Sequence, residues 1–501
     1  MVNTLIYISA DQLFHSHSAL SIDDQCVVLM FEDTEFLLSY KFHKHKLIFI
    51  ISAMRQYFQQ LNAKNKFYYK LNLDNASNTL ENNFTKIITH YPTIKEIRTY
   101  KNSNRKINKR ITIFSNKFDL NYSFIENPSF LTSSAEFKNF HISNPSLLMH
   151  NFYKLQRKKF NILISSDSKP KGGKWSHDHE NRLKLPKNLS PKLPDQIKYD
   201  DIVSQVKKEI DQVFPKNPGS TSNFWLPVTR SQSLTWLNLF FEERFKLFGP
   251  YEDAIHTEHP FIYHSVVSPI INIGLITPLE VVNLALNYSE HNDVPIQSLE
   301  GFIRQIIGWR EFMKGIYDIS DDTYINSNFF NHKNKLTNKW YDGTTGIPPL
   351  DDMISQLNKY GYAHHIQRLM IASNLMTLCE IDPKDAFRWF MEYFVDSDEW
   401  VMEPNLIGMG LFADGGLFAT KPYISSSNYI LKMSNYTKKS HGSTWIDIWQ
   451  ALFWRFIHKN YNYFKESGRM GYMISHINKM GKEQIQNYYN VANEFIKNIT
   501  D

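Results

Sequence analysis

The stretch 361–423 constrains the fold most, because it sets polar side chains inside an apolar helical pattern. It begins GYAHHIQRLM, where two adjacent histidines, Gln367 and Arg368 interrupt apolar residues at helical spacing. Burying such groups is costly unless they are hydrogen-bonded, so we expect them to serve a function. A second helix is predicted from Asp382, an N-cap followed by proline, and the glycine-punctuated segment after it suits close packing against a flat ligand.

The length and charge of the chain limit the kinds of protein that it can be. With 501 residues it is too long for one core of ordinary size, so two domains are expected. Its net charge of +6 is concentrated in a lysine-rich middle, which is compatible with a polyanionic partner. An aromatic content of 15% fits either surfaces that stack planar ligands or a large aromatic core.

Cysteine content and hydropathy exclude several classes. Cys26 and Cys379 are the two cysteines, and they provide neither a disulfide framework nor a four-thiolate metal site. No apolar run reaches membrane-spanning length, and the N-terminus lacks a signal-peptide pattern. We therefore expect a soluble cytoplasmic protein that makes no membrane contact.

The first part of the chain predicts a doubly wound parallel α/β sheet. The β-rich runs TLIYIS, QCVVLMF, KFYYKL, IKEIRTY and RITIF alternate with helical stretches. Ligands of such sheets bind beyond the carboxyl ends of the strands, and Asp11 follows the first strand there. The glycine-rich dinucleotide fingerprint is absent, so a pyrophosphate site of that type is not expected here.

Composition shifts divide the chain into three parts. Residues 1–142 form the predicted α/β domain, and residues 143–221, rich in Lys, Pro, Asn and Ser, form a long connector with few core residues. Residues 222–501 show helical periodicity and predict an all-α domain. Within it, LEGFIRQIIGWREFMKGIYDI places Glu300 and Arg304 one turn apart.

Four motifs resemble those of a known family. EGFIRQIIGWREFMKGIY, YAHHIQRLM, FADGGLFATKPY and KPKGGKWSHDHENR, together with SVVSPIINIGL, are similar to the bacterial (6-4) photolyases, also called iron-sulfur bacterial cryptochromes and photolyases. The resemblance runs over nearly the whole chain. It implies an N-terminal α/β domain, a connector and an all-α domain that holds a U-shaped FAD.

The resemblance implies a light-driven enzyme that acts on ultraviolet-damaged DNA. Members of the family repair (6-4) photoproducts or serve as blue-light receptors. We therefore expect a (6-4) photolyase, most simply a monomer. The alternatives are a cryptochrome-type photoreceptor that binds FAD without repair, and a flavoprotein that binds DNA without turnover.

The resemblance assigns the proton donor to His365. In the family, light-excited reduced FAD donates an electron to the lesion, and a histidine supplies a proton that traps the product. An imidazole suits this task because it titrates near neutrality. His364 and Tyr423 are assigned to the catalytic site with it, His364 as a structural partner. The alternative for both histidines is a core residue satisfied by hydrogen bonds.

The FAD contacts are also implied by the resemblance. Cationic and amide groups are expected to meet the diphosphate and ribityl oxygens, and carboxylate or amide groups the flavin ring. The alternative for each residue is that it makes capping or loop hydrogen bonds within the protein and does not contact FAD. The expected contacts are Ser268, Arg304, Gln305, Glu311, Asp396, Glu403 and Asn405.

An electron-transfer chain is implied by the aromatic residues. Trp389 matches the flavin-proximal member, and Trp340 or Tyr341 matches the outer station. Phe390 stands where some members have tyrosine, and phenylalanine has no phenolic proton to lose. Core packing is the alternative for all of these aromatic residues.

Lesion and DNA contacts follow from the same motifs. Met409 and Tyr423 match positions that line the pocket for a flipped-out lesion. Lys174 and Lys421 are expected to neutralise phosphates, although charge runs of this kind are often only solvated linkers. Asp178 matches a position that can hold a divalent ion such as Mg²⁺ near the lesion.

The chain departs from the family at the iron-sulfur cluster. The positions that match its four cysteines are Pro349, Thr437, Ser440 and Asp447, and none of these can replace a thiolate as an ordinary ligand. We therefore expect no cluster and no other resident metal centre. Aromatic residues of WIDIWQALFW are expected to fill the space.

The antenna site is a weaker match. The family carries a ribityl-lumazine between its domains, and Asp11 is retained from that site. Phe36 and Ser39 stand where a glutamate and a tyrosine are expected. The resemblance therefore allows an antenna without requiring it.

The loss of the cluster ligands gives a direct test. The purified protein is expected to show flavin absorption without the broad iron-sulfur shoulder, because its thiolates are missing. Visible spectroscopy and an acid-labile sulfide assay check this. A sulfide content of about four per chain would contradict the prediction.

Overall fold

The N-terminal part of the protein is built on a five-stranded parallel sheet, as the alternation of apolar runs predicts. The computed structural model describes residues 1–71, 78–192, 197–438 and 444–501. The strand order is β3-β2-β1-β4-β5, which confirms the doubly wound topology. The strands are β1 (Thr4–Tyr7), β2 (Cys26–Phe31), β3 (Lys66–Tyr69), β4 (Glu96–Tyr100) and β5 (Asn121–Ile125).

Helices cover both faces of this sheet. Side chains alternate along a strand, so Leu5 of β1 packs in the cluster with Phe84 and Phe114, whereas Ile6 packs in the large core that includes Ile48. The covering helices are α1 (Thr34–Leu38), α2 (Lys44–Gln60), α3 (Leu80–His90) and α4 (Arg105–Lys117).

One strand prediction is wrong. RITIF, at 110–114, lies inside helix α4 rather than in a strand, and the fifth strand follows it at β5. Asn104 caps the helix by accepting a hydrogen bond from the Lys106 backbone. Ile111, Phe114 and Ser115 are buried on one face, so helical packing overrides the β-branched residues of this short run.

The connector predicted over 143–221 contains two amphipathic helices with buried faces. Phe152 and Tyr153 are buried in the first, and Val206 and Ile210 in the second. The part of the chain from 126 to 221 contains α5 (Ser134–Ser143), α6 (Met149–Lys159), α7 (Asp201–Val213) and short 3-10 turns at Lys171–Gly173 and Asp178–Glu180.

The rest of the described chain is helical. Thr277 and Glu280 form a capping box, and Asp382 caps its helix ahead of Pro383 as predicted. The helices are α8 (Arg230–Glu243), α9 (Phe245–Phe248), α10 (Ser268–Asn272), α11 (Pro278–His291), α12 (Ile296–Ile303), α13 (Glu311–Ile319), α14 (Lys339–Asp342), α15 (Pro348–Tyr360), α16 (His365–Gln367), α17 (Asn374–Leu378), α18 (Pro383–Tyr393), α19 (Glu399–Met402), α20 (Ser427–Met433), α21 (Thr444–Lys459), α22 (Tyr461–Glu466), α23 (Gly471–Ile477) and α24 (Lys482–Ile499).

Three segments of the described chain are π-helical. We call Arg304–Arg310, Arg368–Ser373 and Glu403–Gly410 the first, second and third π segments. Each is continuous with an α-helix. Its backbone hydrogen bonds span five residues instead of four, so the helix is wider at this segment but does not end there. Such segments are rare and occur frequently at functional sites. Among the described residues, no helix is long and apolar enough to cross a membrane.

A cluster of charges joins α4 to the helical part of the chain. Arg105 pairs with Glu403 at 2.7 Å and with Asp322 at 2.9 Å, and its guanidinium lies 4.1 Å from the ring centre of Tyr317. Lys106 pairs with Glu399 at 2.8 Å, but its side chain is 61% exposed. The Glu403 side chain is only 3% exposed, so it depends on Arg105 for compensation.

The two ion pairs differ in burial, so their contributions to the stability of the protein can be compared. Burial raises the pKa of Glu403 to about 7 even with Arg105 present, so the carboxyl is ionised mainly above that pH. Arg105→Gln leaves this carboxylate without its cation and is expected to lower the free energy of unfolding by about 2–4 kcal/mol above about pH 8, and by less below about pH 6, where the carboxyl is protonated. Lys106→Gln is the matched control and is expected to cost less than about 1 kcal/mol. Thermal and urea unfolding of both variants measure the difference. An equal loss of unfolding free energy in the two variants would show that burial does not determine how much each ion pair stabilises the protein.

Candidate functional site

A cavity of about 310 Å³ lies where the three π segments meet. Gln305 lines it from the first segment, Arg368 from the second, and Asn405 and Met409 from the third. Six of the side chains expected at the cofactor or lesion site line this cavity: Ser268, Gln305, His365, Asp396, Asn405 and Met409. Its aromatic and aliphatic wall includes Phe248, Phe302, Trp309, Phe390, Trp400 and Leu406.

A buried ion pair forms one side of the cavity. Arg368 Nη1 lies 2.9 Å from Asp396 Oδ1, and Nη2 donates to Oδ2 at 3.1 Å. The Ser268 hydroxyl donates to the same Oδ2 at 2.6 Å. Burial alone would raise the pKa of Asp396, but Arg368 and the Ser268 hydrogen bond hold it below its usual value. Asp396 is therefore ionised at neutral pH and compensates the Arg368 charge.

Arg310 places a cation at the cavity that the sequence interpretation did not assign. Its Nη1 donates to Asn272 Oδ1 at 2.5 Å, and its guanidinium lies 4.6 Å from the ring centre of Trp400. Its buried Nε has no hydrogen-bond partner among the described residues. Burial lowers the pKa of Arg310 to about 10, so it remains cationic at neutral pH. An unsatisfied cationic donor beside a cavity suits an anionic group of a ligand, such as a diphosphate.

His365 is at the edge of the same cavity. Its side chain is 47% exposed, and Nε2 lies 3.3 Å from Asp253 Oδ1. Burial alone would lower the pKa of His365, whereas the hydrogen bond and charge of Asp253, with the charge of Glu252, raise it above its usual value. The geometry therefore favours a protonated imidazole facing the cavity, which is a general acid.

His364 and His264 are neutral neighbours of that group. Their rings stack at 4.8 Å and 12°, and burial lowers the pKa of both well below the usual value. His264 Nε2 donates to the Glu252 carbonyl at 3.0 Å, whereas neither nitrogen of His364 has a partner among the described residues. An imidazole binds a metal in its ring plane, so this parallel stack is poorly suited to holding one ion. The sequence interpretation missed His264, because only the fold brings it against His364.

Arg304 lies near the cavity but does not line it. It is buried among carboxylates, 3.3 Å from both Glu300 and Asp178 and 3.5 Å from Glu252. Its charge is therefore compensated by protein carboxylates, although its Nε and Nη2 make no hydrogen bond to the described residues. The contact with Asp178 ties the KPKGGKWSHDHENR segment to the first π segment.

Glu311 and Glu403, both expected to contact FAD, also lie outside the cavity lining. Glu311 accepts hydrogen bonds from the backbone N–H groups of Leu131 and Thr132 at 2.8 and 2.9 Å, and burial raises its pKa to about 7. Glu403 binds Arg105, as described above. Both carboxylates therefore attach the helical part of the chain to the N-terminal part.

The residues expected to contact DNA differ in their exposure. Lys174 is 51% exposed and pairs with Glu180 at 2.9 Å, and Lys421 is exposed. Tyr423 is partly buried, and burial together with the charge of Asp178 raises its pKa. Asp178 also pairs with Arg182, so a divalent ion at Asp178 would have to compete with arginine side chains.

Aromatic residues extend behind the wall of the cavity. Phe390 lines the cavity, and Trp389, which is fully buried, packs against it with ring centres 5.3 Å apart. Trp340 is also fully buried, and its carbonyl accepts a hydrogen bond from Trp389 Nε1 at 2.9 Å. An outer station must reach solvent, so partly exposed Tyr341 suits this role and Trp340 does not.

A second cavity, of about 360 Å³, lies at the carboxyl ends of the sheet strands. Asp11, Phe36, Ser39 and Trp400 are among its lining residues. Asp11 accepts hydrogen bonds from Ser9, Asn102 and the Ser103 backbone N–H. The residue expected at the antenna site is therefore held in place by the loops that follow β1 and β4.

Aromatic residues lie near the positions that match the cluster cysteines. Tyr436, next to Thr437, packs against Trp445, and Trp445 packs against Trp449 with ring centres 6.1 Å apart. Pro349 is buried in the first turn of α15, and Asp447 is exposed. The fourth position, Ser440, lies outside the described residues.

The protein combines a parallel α/β sheet with a helical part that surrounds the cavity. Residues 6–226 match the family model described as deoxyribodipyrimidine photo-lyase-related protein, and residues 302–489 match the FAD binding domain of DNA photolyase. A (6-4) photolyase of Agrobacterium fabrum is 34% identical over 482 residues, which cover 94% of each chain. The chain therefore belongs to the DNA photolyase family.

Solved structures show the same fold. A bacterial class III photolyase from Agrobacterium tumefaciens has a TM-score of 0.59 at 15% identity, covering 99% of this chain and 98% of that chain. A Synechocystis cryptochrome has a TM-score of 0.53 at 16% identity, covering 82% and 83%. Since photolyases and cryptochromes share this architecture, the distinction between them depends on the site.

Asp396, which lines the cavity, and Asp398, which lines the second cavity, give a test of the electrostatics of the site. Asp396→Asn leaves Arg368 without a counter-charge, so the FAD content is expected to fall at least about tenfold. Asp398→Asn is the control, because burial raises the pKa of Asp398 to about 7 and an amide resembles its protonated form. Flavin absorbance per polypeptide, with thermal unfolding in parallel, measures both. Equal FAD content in the two variants would contradict the role of the Asp396 charge.

Proposed function

We propose that this protein is a light-driven (6-4) photolyase that uses FAD to repair ultraviolet-damaged DNA. The observation that carries the proposal is the position of His365, which faces the cavity while Asp253 binds its Nε2 at 3.3 Å. The extended similarity to a (6-4) photolyase supports the choice of lesion. Reduced FAD, when bound in the cavity, would supply an electron to the lesion under blue light.

The side chains of the cavity fit this cofactor. Phe390 and Trp400 offer aromatic surface to a planar ring, and Asn405 offers an amide. The unpartnered Nε of Arg310 suits a diphosphate oxygen. Asp396 would place a negative charge near the ring. Arg368, which pairs with Asp396, compensates this buried charge.

His365 holds the proton that makes repair productive. An electron added to the lesion can return to its donor, and protonation of the reduced lesion blocks that return. Asp253 supports the proton in two ways, since it raises the pKa of the imidazole and fixes one ring nitrogen. His364, which is neutral and stacked on His264, is proposed to position His365 rather than to donate a proton.

DNA is proposed to bind at the segments that carry the exposed Lys174 and Lys421. These side chains are placed to meet phosphates, while Tyr423 and Met409 would receive the extruded lesion. The lesion has already lost its pairing, so extrusion is inexpensive. The second cavity, with Asp11 at its wall, is the proposed site of a ribityl-lumazine antenna.

The rival function is a cryptochrome-type photoreceptor, which would bind FAD and signal to a protein partner. The cryptochrome fold fits it, and so does the replacement of a redox-active tyrosine by Phe390. The exposed His365 with its Asp253 partner favours repair, because signalling requires no proton donor at the lesion.

Repair by the chemically reduced protein tests the function. Blue light is expected to restore an oligonucleotide that contains one (6-4) photoproduct, and His365→Asn is expected to lower the rate at least about 100-fold. His291→Asn is the control, because this exposed histidine at the end of α11 bonds the Asn287 carbonyl of its own helix and lines neither the cavity nor the segment that carries Lys174. Absence of light-dependent repair by FAD-loaded wild type would favour the photoreceptor.

The pH dependence of repair tests the role of Asp253. His365 is protonated below its pKa, so repair is expected to fall as the pH rises through that pKa. Asp253→Asn removes the charge that raises the pKa and is expected to move this fall to lower pH by about one unit. The rate of the pre-reduced variant is measured across the pH range. An unchanged midpoint would show that Asp253 does not tune the proton donor.

A further inference from the structure

A row of aromatic rings leads from the cavity wall to the surface. Behind Phe390 and Trp389, the ring of Tyr393 lies 4.9 Å from Trp389, and the ring of Tyr341 lies 5.7 Å from Tyr393. Tyr393 is buried and Tyr341 is partly exposed. The row therefore reaches solvent at a tyrosine rather than at a tryptophan.

The two tyrosines differ in what their hydroxyl groups can do. A phenol that loses an electron becomes a strong acid, so it must pass its proton to a base. The Tyr393 hydroxyl donates to the Tyr341 carbonyl at 2.9 Å and to Asn358 Oδ1 at 3.2 Å, and both acceptors are neutral amide oxygens. The Tyr341 hydroxyl instead donates to the Glu392 carboxylate at 3.1 Å. Only the outer tyrosine of this row therefore has a base as its partner.

The surroundings of Glu392 suit a proton acceptor. It is 5% exposed, and burial raises its pKa despite the opposing hydrogen bond from Tyr341 and the charges of Arg388 and Lys41. Its carboxylate is therefore a stronger base than an exposed one. Glu392 also lines a surface groove with Tyr40, Lys41 and Arg388, through which a proton can reach water.

We propose that Glu392 accepts the phenolic proton of Tyr341, which makes Tyr341 the terminal electron donor when the flavin is photoreduced. Photo-excited oxidised flavin, when bound in the cavity, would take one electron from this row of rings, and the electron missing from Trp389 would be replaced from Tyr341 through the ring of Tyr393. The Tyr341 proton passes to the Glu392 carboxylate, leaving a neutral tyrosyl radical and a carboxylic acid. An external thiol then reduces the radical. This inference rests on the FAD site proposed above but not on repair of a particular lesion.

Flash photolysis of the protein with oxidised flavin tests the proposal. Transient absorption and freeze-quench electron paramagnetic resonance are expected to show a neutral tyrosyl radical in the wild type. Tyr341→Phe is expected to abolish that signal and leave a short-lived tryptophan signal. Glu392→Gln keeps the shape of the side chain but removes the base, so tyrosyl formation is expected to slow at least about tenfold. Glu392→Asp, which retains a carboxylate, is expected to recover part of the rate.

Two control variants separate the proposed roles of Tyr341 and Glu392 in electron and proton transfer from a structural role. Tyr393→Phe retains the ring and is expected to leave the radical yield unchanged. Tyr324→Phe removes a different tyrosine bonded to a carboxylate, Asp414 at 2.7 Å, and is expected to have no effect. Wild-type radical formation in Tyr341→Phe or Glu392→Gln would overturn the proposal. Formation of the radical in a protein that fails to repair DNA would leave this inference standing and refute the proposed repair function.

Discussion

The buried ion pair between Arg368 and Asp396 links parts of the chain that are far apart in sequence. Arg368 begins the second π segment, Asp396 follows α18, and Ser268 at the start of α10 completes the hydrogen bonding. Neither charge can be buried alone, so the segments must meet for either to be stable. The cavity forms where they meet, and His365 lies one helical turn before Arg368.

The same environment sets different protonation states in neighbouring histidines. Desolvation lowers the pKa of His264 and His364, whereas Asp253 reverses that effect for His365. Burial therefore stabilises the neutral form of the stacked pair, while Asp253 stabilises the protonated form of the neighbouring ring. Two groups of the same type can then perform different tasks, one positioning and the other donating a proton.

Much of this account could be predicted from the sequence because its signals are local or belong to long motifs. Strand and helix alternation gave the sheet, and the proline after Asp382 gave a helix start. RITIF was misread because five residues do not separate a strand from a buried helix face. The sequence assigned Glu311 and Glu403 to the cofactor and Trp340 to an outer station, whereas the fold puts both carboxylates outside the cavity lining and buries Trp340 fully. Their partners are distant in sequence, so only the fold shows these positions. Arg310 was missed for the same reason.

The most direct test of the account is a crystal structure of the FAD-loaded protein bound to a duplex that contains one (6-4) photoproduct. The lesion is expected to be flipped into the cavity between the π segments, within hydrogen-bond distance of His365 while Asp253 binds the other ring nitrogen. A lesion that stays stacked in the duplex, or that binds away from His365, would contradict the assignment of this cavity as a repair site.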